Sequence, residues 1–220
     1  MKLYLKNHAE RYPVEQLQLQ LFAQEPSEFC AEPFTGDGTV SSLSRGKRYL
    51  TATAKVTYQG KTGFASNRVL LEKADVRATR RILQRSYYLA ALQVLPAAPP
   101  WGALSGVRPT KLSTKCLMAG GSERDAERLL RQTYFVSPER ARLCVDASRH
   151  TVEAAKKLDA DDLSVYIGIP FCPTRCAYCS FVSQSIERFG EFLPAYLDAL
   201  LREIAHTGAL LKDSGFHIRT

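Results

Sequence analysis

Along the N-terminal part of the chain, apolar and polar positions alternate as in β-strands. Residues 2–5 do so, and residues 17–22, LQLQLF, keep a clean period of two. Residues 49–58 and 61–71 are rich in Thr and Val and flank Gln59-Gly60, a dipeptide suited to a hairpin turn. Residues 32–46 read as a Gly/Ser/Pro-rich loop. The pattern predicts a small antiparallel sheet domain over residues 1–73. His8 and Cys30 have no partners at ligand spacing, and each reads as structural.

From Asp75 the period becomes helical. Asp75 caps a predicted helix to about residue 94, with Val76, Ile82, Leu83, Ala90, Ala91 and Val94 on one face. Residues 96–112, PAAPPWGALSGVRPTKL, form a stiff proline-rich connection, and long connections are often functional. Ser122 with Asp125 resembles a capping box for a helix to about residue 134. Ser137-Pro138-Glu139 opens another that runs to about residue 158, where Cys144 reads as a small buried hydrophobe. Residues 74–158 are therefore expected to be a helical, basic connecting region.

After an acidic linker, residues 165–169 form a short apolar strand, followed by a cysteine loop. An amphipathic helix is expected over residues 192–212, and residues 216–219 open a second strand. Strand, loop, helix and strand in that order are the unit of an α/β fold, with the functional loop at the strand's carboxyl end. This unit occupies residues 163–220.

The chain has 220 residues, of which 45% are hydrophobic, enough for real cores. Its formal net charge is +8, and it is unevenly placed. Residues 74–150 hold thirteen Lys and Arg against six Asp and Glu, a balance of +7. That segment could meet nucleic acid, a phosphate or a carboxylate-rich substrate, although dispersed arginines are more often solvated helix faces. The N-terminus has no apolar signal-peptide core, and no run of about eighteen apolar residues marks a transmembrane helix.

Six cysteines are present: Cys30, Cys116 and Cys144 are scattered, whereas Cys172, Cys176 and Cys179 are spaced C-x3-C-x2-C. Clustering favours a metal site in a reducing compartment over a disulfide framework, so a cytoplasmic location is expected. Thiolates suit iron–sulfur clusters and zinc. A structural zinc site or a ferredoxin cluster normally takes four protein ligands, and this loop supplies three. Three ligands suit a [4Fe–4S] cluster whose fourth iron stays open; zinc remains the alternative. Pro170 and Pro173 stiffen the loop. Tyr166 and Tyr178 flank the ligands, as cofactor contacts or as core aromatics.

The segment YIGIPFCPTRCAYCSF, residues 166–181, resembles the cluster motif of the radical S-adenosylmethionine superfamily. Tyr166 with Ile169-Pro170-Phe171-Cys172 is similar to the oxygen-independent coproporphyrinogen III dehydrogenase branch, which includes related haem chaperones. Trp101-Gly102 and residues 106–112, GVRPTKL, resemble its HemZ-type subgroup, which carries an extra N-terminal region. AYLDALLREI, residues 195–204, looks like the first barrel helix of that branch.

The residue pattern reads as an α+β N-terminal part, a small antiparallel sheet then helices; the resemblance implies that the first β/α unit of an incomplete α/β radical S-adenosylmethionine barrel follows it. It implies a [4Fe–4S] cluster on Cys172, Cys176 and Cys179, with S-adenosyl-L-methionine on the open iron and Tyr166 and Tyr178 beside that cofactor. The implied reaction of haem biosynthesis is hydrogen abstraction from a coproporphyrinogen III propionate, then decarboxylation to a vinyl group. It also implies a tetrapyrrole substrate and an electron donor protein of flavodoxin or ferredoxin type. No catalytic residue beyond these is identified. A haem chaperone and an RNA-modifying radical enzyme are the competing functions; nucleic acid is the less favoured partner.

Gly168 stands where many relatives carry His, and Phe181 where the best-known dehydrogenases carry a further Cys. Both departures leave the cluster ligands intact and bear on the exact reaction. The chain is expected to be a fragment of a longer protein, unable by itself to cleave S-adenosylmethionine at a useful rate.

Overall fold

The computed structural model describes residues 1–105, 108–174, 176–177 and 179–220. It divides into two units, Met1–Glu153 and Ala154–Thr220.

In the first unit, β1 (Lys2–Lys6), β2 (Glu28–Cys30), β3 (Gly38–Arg45), β4 (Tyr49–Tyr58) and β5 (Lys61–Leu70) form one sheet in the order β2-β1-β3-β4-β5. The β4–β5 hairpin turns on Gln59 and Gly60, both at positive φ (50° and 76°), as a primed two-residue turn requires. The sheet is mixed rather than antiparallel, because β1 runs parallel to both β2 and β3.

That topology comes from a crossover absent from the sequence reading. LQLQLF is not a strand: it ends α1 (Arg11–Leu21), which links β1 to β2. Val14, Leu17 and Gln18 are buried at helical spacing, and Leu19 points outward. Gln18 can be buried because its Nε2 donates to the Met1 carbonyl at 2.9 Å and to Ser27 Oγ at 3.2 Å. The tract over 32–46, read as a loop, contains β3. Gly38, Thr39 and Ser41 are buried there, so the strand carries no apolar signature, and pairing with β1 and β4 fixes it.

α2 (Val76–Ala91) packs on this sheet. Asp75 Oδ1 accepts from the Ala78 amide at 2.6 Å, the expected cap. Ile82, Leu83, Tyr87, Ala90, Ala91 and Val94 join Leu3, Val14, Leu17 and the inward residues of β4 in one core. The first core therefore runs through the sequence boundary drawn at residue 73.

A second, smaller core lies among helices. α3 (Thr110–Met118), inside and beyond the stretch read as a connection, packs with α4 (Glu123–Arg128) and α5 (Pro138–Ala155). Ala126, Leu130, Ala141, Cys144 and Val145 form its centre, with Trp101 and Leu104 against them. Cys144 is buried, as its helical face predicts, and burial raises its thiol pKa. Ser122 and Asp125 form a complete capping box on α4. A π-helical turn, Leu129–Thr133, follows α4 directly.

In the second unit, β6 (Asp162–Leu163) pairs in parallel with β9 (His217–Ile218), and β7 (Phe171–Cys172) with β8 (Gln184–Ser185). α6 (Ile186–Phe189) and α7 (Leu193–Lys212) lie between β8 and β9, with Pro194 in the first turn of α7 where proline is tolerated. The apolar run over 165–169 is not laddered as strand. The ladder stops where the Val165 amide meets the Thr220 carbonyl at 2.8 Å. No helix among the described residues is long and apolar enough to cross a membrane.

Candidate functional site

Two short parallel pairings set the mouth of the second unit. The His217 amide donates to the Asp161 carbonyl and the Arg219 amide to the Leu163 carbonyl, each at 2.9 Å. These bonds hold β6 beside β9, and α7 makes the crossover. The extended run from Ser164 then leads to β7, whose last residue is Cys172. The Gln184 amide donates to the Pro170 carbonyl at 2.6 Å, and Cys172 is paired with Ser185. The cysteine loop therefore leaves and re-enters one parallel bridge, which fixes both of its ends.

Cys172 and Cys179 are half-buried and Cys176 is exposed. The Cys179 amide donates to the Cys176 carbonyl at 3.0 Å. Cys172 and Cys179 line one cavity of about 600 Å³ together with Tyr166, Phe181 and Tyr196. Among the described residues, no group of three or more His, Cys, Asp and Glu stands gathered as a ready-made metal site. The donor set itself, three thiols on one short loop, is that of a soft-metal centre, and metal binding commonly organises such loops as it occurs.

Tyr166 is 87% exposed and borders two cavities: the one shared with the cysteines and another of about 570 Å³ beside α7. Its ring lies over Gly168, where a Cβ would come within 3.3 Å of the ring edge. Tyr178 lies outside the described residues, as do Gly106 and Val107 of the GVRPTKL segment. Gly168 and Phe181 both line the cysteine cavity.

One positioning residue was not singled out by the sequence. Tyr196 on α7 donates its hydroxyl to the Gly168 carbonyl at 2.5 Å, and its ring meets Phe171 edge-on at 5.4 Å. It thus grips the segment that delivers Cys172. The available signal was a tyrosine within an otherwise aliphatic helical face, a residue whose hydroxyl needs a partner when the ring is covered.

The chain is 30% identical over 214 residues to the oxygen-independent coproporphyrinogen-III oxidase-like protein HemZ of Bacillus subtilis (strain 168). The matched stretch takes in 94% of this chain and 40% of that relative. The chain thus spans less than half the length of the curated relative it matches. No family model matches, and no solved structure does.

Proposed function

We propose that this chain is part of a radical S-adenosylmethionine oxidoreductase that converts coproporphyrinogen III propionates to vinyl groups without oxygen. The carrying observation is the cysteine loop itself. Cys172 and Cys179 line one cleft with Tyr166, at the end of a parallel pairing, in a chain similar to an oxygen-independent coproporphyrinogen-III oxidase-like protein.

Cys172, Cys176 and Cys179 would hold a [4Fe–4S] cluster as thiolates. With S-adenosylmethionine bound, that cluster supplies one-electron chemistry that no side chain can. The chain's own share is placement. Tyr196 and the Gly168 carbonyl fix the approach to Cys172, and Pro170 and Pro173 limit the freedom of the loop before any ligand binds. Tyr166 presents an aromatic face beside the cysteine cleft, suited to covering a planar ring and keeping water from it.

Anaerobic reconstitution with iron and sulfide tests the reading. Wild type should take up iron and sulfide in equal amounts and show visible thiolate-to-iron absorption. Cys176→Ala should lose most of both. Zinc without sulfide, or iron content unchanged in Cys176→Ala, overturns the cluster. With the full-length protein, anaerobic consumption of coproporphyrinogen tests the reaction. Intact cluster chemistry without that consumption leaves the class and removes the substrate.

A further inference from the structure

A further cavity, of about 750 Å³, is lined by residues of the first unit alone. Its floor is Tyr88 and Leu92 at the end of α2. One wall is Ala98 and Pro99 of the proline-rich connection, and the other is Phe135 to Pro138. Three arginines, Arg124, Arg128 and Arg131, and one carboxylate, Glu127, line it from α4 and the π-helical turn, a net positive rim.

The walls are fixed by the backbone. The Ala103 amide donates to the Tyr134 carbonyl at 2.7 Å, and the Ser137 amide to the Pro100 carbonyl at 2.9 Å. Gly102, at φ 58°, sits so close that a Cβ would lie 2.2 Å from the Tyr134 carbonyl oxygen. The proline-rich connection is thereby stitched to the loop after the π-helical turn. Two irregularities meet at this loop. One is the π-helical turn itself, a feature frequent at functional sites, and the other is Phe135 in the left-handed region at φ 59°. The result is an aromatic stack: Phe135 lies on Tyr88 with ring centroids 5.1 Å apart and planes at 25°. Arg85 covers Phe135 at 4.8 Å and also donates to the Gln132 carbonyl at 3.3 Å.

The arginines are only partly occupied. Arg128 bonds Asp125 at 3.0 Å and Arg131 bonds Glu127 at 3.1 Å, each through one nitrogen. Arg124 has no ion-pair partner among the described residues. Each guanidinium has five N–H donors in a fork that matches carboxylate or phosphate, so most donors at the rim stay available. The cavity volume falls in the small-molecule range of about 300–1,000 Å³, and a single concavity of that size takes one molecule rather than a strand.

We infer that this cleft binds an organic anion with a flat apolar body and a carboxylate or phosphate, the body against Leu92, Pro99 and Phe135 and the charge on Arg124 and Arg128. The site is built from residues of the first unit alone and stands whether or not the cysteine loop holds a cluster.

Calorimetric titration of the whole chain with 2-naphthyl phosphate and 2-naphthoate tests it, with inorganic phosphate and neutral 2-naphthol as controls. Both naphthyl anions should bind at least about tenfold more tightly than either control. Arg124→Gln should weaken them about tenfold, the loss of a charge-assisted bond. Arg124 is exposed, so the thermal midpoint should not move. Arg128→Gln gives an independent second variant with the same expectation. Equal affinity for 2-naphthol, equal affinity for inorganic phosphate, or affinity unchanged in both variants overturns the proposal. So does a uridine oligonucleotide that binds and is weakened by the same variants while the naphthyl anions do not bind.

Discussion

The Tyr196 hydroxyl donates to the Gly168 carbonyl at 2.5 Å, tying α7 to the segment that delivers Cys172. The bond spans 28 residues of sequence and is partly buried, so its loss leaves a carbonyl without its partner. Tyr196→Phe keeps the edge-on contact with Phe171 and removes only the hydroxyl. Loosening of the cysteine loop's anchor by about 1 kcal/mol is expected, a factor of about five in local opening. Amide hydrogen exchange at Gln184, which donates to Pro170 across the same bridge, reads it directly. Exchange at Gln184 equal to wild type would show that the hydroxyl does not hold the loop.

Gly63 is where β5 admits α2. A Cβ there would lie 2.0 Å from the Ala90 carbonyl oxygen and 2.9 Å from Cβ of Gln93. Backbone cannot yield as a side chain tip can. Next to it, the Gln93 side chain accepts from the Phe64 amide at 3.2 Å and donates to the Phe64 carbonyl at 2.8 Å, covering an edge strand. Gly63→Ala should lift α2 from the sheet and cost about 3 kcal/mol in urea unfolding. Gly60→Ala is the contrast: φ is 76° but nothing lies within 4 Å, so only backbone strain of about 1 kcal/mol is expected. Equal losses at the two glycines would remove the packing argument.

Asp75 caps the helix that carries much of the first core. Removing the side chain in Asp75→Ala leaves the Ala78 amide without its acceptor and should lower stability by about 1 kcal/mol. Asp75→Asn retains the acceptor and should lie within a few tenths of a kcal/mol of wild type. Thermal unfolding of the three proteins side by side decides it; an Asn variant as weak as the Ala variant would mean that charge, not capping, is at work.

What could be read in advance follows the range of the interaction. The β4–β5 hairpin, the Asp75 cap and the Ser122–Asp125 box are local, written within a few residues, and the sequence patterns located them. Residues 17–22 misled because alternation in a short run is also compatible with a helix whose polar member is satisfied inside. Gln18 reaches the Met1 carbonyl, which only the fold supplies. β3 was invisible because its inward residues are Thr39 and Ser41, held by neighbours on either side. The site divides in the same way. Cys172, Cys176 and Cys179 announce themselves by spacing. Tyr196 and the arginine-rimmed cleft do not, because Gly168, Tyr88 and Phe135 reach them only through tertiary contact.

His8 makes the first unit sensitive to acid. Its Nε2 lies 3.3 Å from the Ser41 carbonyl and 3.2 Å from the Ser41 hydroxyl. Nδ1 is buried with no partner among the described residues. Burial pushes the His8 pKa below its ordinary value, against smaller opposing effects of the Ser41 bond and the Glu10 charge. The unfolded chain therefore binds a proton at a higher pH than the folded one. Stability from this group is fully present above the ordinary histidine value of about 6.5 and falls as pH drops from there to the lowered folded pKa. The thermal midpoint should fall between pH 7.5 and pH 5. In His8→Gln, which retains a donor and cannot titrate, the fall should be smaller. Parallel pH profiles for the two proteins would assign the acid sensitivity to other groups.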